Sequence, residues 1–142
     1  MANRSFNRLQ AIDKELKIIQ GQFTVGASGA PTLVENKSVG VKSIAKSGTG
    51  DYALTLGVPN GDSDVYPHFY NAWFAYQKST AHGGTVGAEF QIKSSTVDSD
   101  GVLNFFTLDK DGSAAHPADG ATIHFTLVVK NSNLAGVGSG NV

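Results

Sequence analysis

Asp51-Tyr-Ala-Leu-Thr-Leu-Gly-Val58 alternates strictly: Tyr52, Leu54, Leu56 and Val58 are large and apolar, and Ala53, Thr55 and Gly57 between them are small. Successive strand side chains point to opposite faces, so a period of two predicts a β-strand with one face on a core. Turn formers bracket it: Ser47-Gly-Thr-Gly-Asp51 on one side and Pro59-Asn-Gly-Asp-Ser-Asp64 on the other.

The same pattern recurs along the chain. Lys17, Ile19, Gly21, Phe23 and Val25 alternate with Ile18, Gln20, Gln22 and Thr24, until Gly26-Ala-Ser-Gly-Ala-Pro31 breaks the run. Val39–Ile44 is a second strand candidate. Val86, Ala88, Phe90 and Ile92 mark another, Val102–Leu108 another, and Thr122–Lys130 the last, with Ile123, Phe125, Leu127 and Val129 on one side and His124 facing away from the core. Phe69-Tyr-Asn-Ala-Trp-Phe-Ala-Tyr76 differs. It is apolar on both parities, with Phe69 and Trp73 on one and Tyr70, Phe74 and Tyr76 on the other. A strand with one wet face does not read this way, so it is either covered on both faces or meets another subunit. Seven strands separated by turn signals predict a mostly β chain, a single antiparallel β-sandwich or barrel, jelly-roll-like. No internal repeat of fixed period is present.

The two ends read differently from the body. Ser5 can cap a short helix whose stripe is Phe6, Leu9, Ile12 and Leu16. Residues 132–142 are glycine-rich and aperiodic, the composition of a flexible tail. The expected organisation is an N-terminal helix or arm over 1–20, a β-sandwich body over 21–131 and the tail over 132–142.

Composition narrows the chemistry. The 142 residues suit one domain. A net charge of −1 gives no global field to steer nucleic acid or an anionic membrane. Residues 1–20 nevertheless lean basic, with Arg4, Arg8, Lys14 and Lys17 against Asp13 and Glu15. That reads as a solvated helix or as a basic arm for an acidic partner. The absence of cysteine excludes disulfide, thiolate and zinc-cysteine chemistry. No apolar run approaches the roughly 20 residues that span a bilayer, and the opening lacks the apolar core of a signal peptide. Assembly in a cytoplasm is therefore expected.

Motifs with catalytic or metal content are weak. Asp98-Ser-Asp100-Gly101 and Asp109-Lys-Asp111-Gly112 begin as calcium loops do, but neither is followed by the bidentate glutamate such loops require. Both fall where strands must end, and Asp and Gly are turn residues. His68, His82, His116 and His124 have no metal-helix spacing and read as solvent or interface residues. There is no Gly-x-Ser-x-Gly elbow, and the sparse carboxylates single out no glycosidase pair. Gly136-x-Gly138-x-Gly140 sits in the tail rather than between a strand and a helix, so it is no nucleotide loop. No catalytic residue, metal ligand or cofactor is expected, and the chain is not expected to be an enzyme. The aromatic set Tyr66, Phe69, Tyr70, Trp73, Phe74 and Tyr76 reads either as core or as an interface or sugar-stacking platform.

Several stretches resemble small virion structural proteins of tailed bacteriophages. They are the opening Met-Ala-Asn-Arg-Ser-Phe6, Gly21-Gln-Phe23 with Gly29-Ala-Pro31-Thr, Gly40-Val through Ser47-Gly-Thr-Gly-Asp-Tyr-Ala-Leu-Thr-Leu56, and Pro117-Ala-Asp-Gly-Ala-Thr-Ile-His-Phe-Thr-Leu-Val-Val-Lys-Asn-Ser132. In order, they span most of residues 1–132. The resemblance implies a capsid decoration (cement) protein on the outer head surface of the virion, assembled in the host cytoplasm. It further implies that the protein forms a homotrimer, binds the major capsid protein and stabilises the expanded shell. Neither nucleic acid nor membrane is an expected partner. Under that reading Phe6, Leu9, Ile12 and Leu16 dock on the capsid with Arg4 and Arg8 setting register, and Phe69, Tyr70, Trp73, Phe74 and Tyr76 form the oligomer interface. The alternatives are a tail, neck or fibre-base component, or a virion-surface carbohydrate-binding module using Trp73 and its neighbouring tyrosines.

Overall fold

The computed structural model describes residues 16–78 and 88–131. They form eight strands: β1 (Leu16–Val25), β2 (Pro31–Leu33), β3 (Val41–Gly48), β4 (Asp51–Leu56), β5 (His68–Gln77), β6 (Glu89–Thr96), β7 (Val102–Leu108) and β8 (Thr122–Lys130). Single 3₁₀ turns occupy Ala27–Gly29 and Glu35–Lys37. The strands pair antiparallel into two four-stranded sheets, ordered β2-β1-β8-β5 and β3-β4-β7-β6. The sheets pack on each other as a β-sandwich and neither closes into a barrel.

Alternation decides what the sandwich buries. Tyr52, Leu54 and Leu56 of β4 and Leu103 and Phe105 of β7 face Ile19, Phe23 and Val25 of β1 and Ile123, Leu127 and Val129 of β8. At the centre Phe105 stacks on Tyr52 with ring centroids 5.5 Å apart, and Phe23 lies 5.9 Å from Tyr52. Phe74 of β5 adds a contact to Phe105 at 4.7 Å and stacks on Phe90 of β6 at 5.1 Å, so the two edge strands β5 and β6 close one flank together. Each such ring removes enough apolar area from water to stabilise the fold by about 2–3 kcal/mol. The one polar atom this layer buries on Tyr52 is satisfied: its hydroxyl donates to the Gly29 carbonyl at 2.9 Å. Burial pushes its pKa up to about 12.

Two glycines are required by their surroundings. Gly50 ends the β3–β4 turn at φ 66°, and a Cβ there would stand 2.5 Å from the Thr107 carbonyl oxygen. Gly21 keeps β1 open where the Phe125 ring crosses it, 2.5 Å from the position a Cβ would take.

The structure departs from the sequence expectations at identifiable points. Leu16, expected at the end of a helix, is the first residue of β1, and residues 16–20, assigned to the arm, are the first half of that strand. The remaining residues of the expected helix lie outside the described residues, as do Val86 and the tail from 132 onward. Pro31–Leu33 is an additional short edge strand, legible only through its pairing with Phe23–Val25. Val39 and Val58 were expected within strands but lie outside them, both exposed. Val39 makes only an isolated bridge to Gln20, and Gly57, at φ 133°, turns the chain out of β4 before Val58.

The double-sided apolar strand has a local cause. In β5 the register against β8 shifts between Phe69 and Asn71, from Phe69↔Val129 to Asn71↔Val128. One extra residue, a β-bulge, flips the parity from that point on. Phe69, Ala72, Phe74 and Tyr76 therefore share the core side, and Tyr70 and Trp73 face outward at 53% and 54% exposure. The expected split, with Phe69 and Trp73 on one face and Tyr70, Phe74 and Tyr76 on the other, is replaced by this one.

Candidate functional site

Ionisable groups are dispersed. Among the described residues no three His, Asp or Glu side chains gather where a metal ion could be held. Both Asp-x-Asp-Gly units are turns. The Asp109 carboxylate accepts from the backbone N–H groups of Asp111 and Ser113, both at 2.9 Å. The Thr96 carbonyl accepts from Ser99, Asp100 and Gly101. His68, Ser95 and Asp98 line one open cleft of about 270 Å³, yet no hydrogen bond joins any two of them.

His116 has a structural partner. Its Nδ1 accepts the Gly50 N–H at 3.1 Å. Burial, and secondarily the nearby Lys46 ammonium, hold its pKa below the ordinary imidazole value, with Asp119 opposing. His82 lies outside the described residues.

The distinctive surface is the outward face of the first sheet, built by cross-strand register. Gln20 of β1, Thr126 of β8 and Trp73 of β5 form one row, and Gln22, His124 and Ala75 the next. Ile18, Val128 and Asn71 form the row on the other side of Gln20. The face thus has two halves. At the start of β1, Leu16 and Ile18 are 43% and 64% exposed. With Val128 they make an apolar strip that approaches the outward Tyr70.

The other half is polar, and among the described residues Lys37 is its one cation. A depression of about 110 Å³ lies against Trp73, Ala75, His124 and Thr126. A second, of about 260 Å³, continues from His124 and Thr126 past Gln20, Gln22 and Lys37. The His124 Nε2 lies 2.7 Å from the Gln77 amide oxygen. This contact fixes the orientation of the imidazole on the face.

The residues expected to act together are divided by this arrangement. Tyr70 and Trp73 are on the outward face, whereas Phe69, Phe74 and Tyr76 pack against the core. Of the expected docking set, Leu16 shares the face with Ile18; Arg4, Phe6, Arg8, Leu9 and Ile12 lie outside the described residues. Gln20, Gln22 and Thr126 were not singled out by motif. Their only signal was position, as the polar members of two alternating strands. Comparisons of the chain with family models, with curated proteins and with solved structures gave no match.

Proposed function

We propose that this protein is a structural component of a phage virion, a decoration protein that binds the outer surface of the head through the major capsid protein. The observation that carries the reading is the exposed Leu16–Ile18 strip with Val128. In sequence it comes directly after the basic, apolar segment that holds Arg4, Phe6, Arg8, Leu9 and Ile12, the residues this reading assigns to docking. Exposed apolar area of this kind is a feature of surfaces that are covered in an assembly. The clamp works by number. Each oligomer, a trimer in this reading, bridges neighbouring coat subunits of the expanded shell, and many modest contacts together resist its rupture under internal pressure. The protein has no catalytic role in this reading.

Quantitative mass spectrometry of purified virions against the major coat protein tests it. Copies on the order of hundreds, in simple ratio to the coat, are expected of a symmetric shell component. A few copies per particle would assign the protein to the tail or neck and remove the clamping mechanism.

A further inference from the structure

We propose that the polar half of the first sheet's outward face is a binding site for a neutral oligosaccharide, with Trp73 stacking on a sugar ring and Gln20, Gln22 and His124 hydrogen-bonding its hydroxyls. The inference does not depend on the virion reading.

The lining selects the ligand class. Trp73 is 54% exposed on a strand whose Phe69, Phe74 and Tyr76 turn to the core side and whose other outward aromatic, Tyr70, lies toward the apolar end of the face. A flat indole bordering a depression offers an apolar face of the size of a pyranose ring, with the indole N–H at its edge. Directly across β8 stand Gln20 and Gln22, whose amides each carry paired donors and an acceptor. His124, oriented by Gln77, adds a second ring nitrogen that can hydrogen-bond between them and the indole. Vicinal hydroxyls donate and accept at once, and this set matches both roles.

Other ligand classes fit less well. The rows Gln20–Thr126–Trp73, Gln22–His124–Ala75 and Thr24–Thr122–Gln77 contain no carboxylate and no arginine, and among the described residues Lys37 is the one cation lining the groove. Nucleic acid needs several cations along its path. A protein hot spot needs a packed apolar centre, and on this face the apolar residues lie at the other end, around Ile18. Neighbouring strands are about 4.8 Å apart, so β1 to β5 spans about 10 Å, room for more than one sugar unit.

Trp73 is the chain's single tryptophan, so its emission reports this site directly. The free protein is titrated with maltohexaose, isomaltohexaose, cellohexaose, mannohexaose and chitohexaose. A saturable emission change with at least one of them is expected. Gln22→Ala and His124→Ala, both at surface positions and checked for unchanged melting, should each weaken that binding by about tenfold. The proposal is overturned if no sugar of the panel gives a saturable change, or if both variants bind as the wild type does. A concentration-dependent emission change without sugar, which marks a second copy on this face, also overturns it.

Discussion

The backbone N–H of Gly50 donates to Nδ1 of His116 across 3.1 Å, tying the β3–β4 turn to the segment that leads into β8. Only the unprotonated nitrogen can accept that bond, and the pKa of His116 is lowered by burial first and by Lys46 second. The folded state therefore resists taking a proton that the unfolded chain takes below about pH 6.5. The stability from this contact is complete above that value and is lost as pH falls through the lower, folded value. Melting temperature should drop between about pH 7.5 and 5.5, and His116→Gln should flatten that dependence. An unchanged slope in the variant would remove His116 as the cause.

Gly50→Ala should destabilise the fold by about 2 kcal/mol or more, because the new methyl meets the Thr107 carbonyl and the residue sits at positive φ. Urea unfolding at neutral pH measures this. The conformational cost alone, without the clash, would give about 1 kcal/mol.

The bulge in β5 assigns neighbouring aromatics to opposite environments. Phe74→Ala should cost about 3 kcal/mol, since its ring lies 4.7 Å from Phe105 and 5.1 Å from Phe90. Trp73→Ala should cost less than about 1 kcal/mol. Paired denaturation curves decide it; equal costs would contradict the parity flip.

Ile18→Asp places a charge on the apolar strip while leaving the core intact, since Ile18 is 64% exposed. Its melting should stay close to wild type, with a change within about 0.5 kcal/mol. Binding to undecorated heads, followed by co-sedimentation, should weaken by at least about tenfold. Undiminished binding would move the docking surface elsewhere.

Local pattern determined most of the fold. The buried Tyr52, Leu54 and Leu56 of β4 and Ile123, Phe125, Leu127 and Val129 of β8 are those that alternation marks, because a period of two is a property of the strand itself. Turn chemistry likewise located Gly50 and the two Asp-x-Asp-Gly bends. Tertiary structure alone decided the rest. Pro31–Leu33 is a strand only because β1 offers it a partner, and Leu16 joins β1 because its backbone pairs with Lys130. The parity of Trp73 depends on one extra residue opposite β8, a relation between two strands that no single strand encodes. The row proposed to bind sugar has the same origin: Gln20, Thr126 and Trp73 are distant in sequence and come into line only when long-range hydrogen bonding sets the register of three strands.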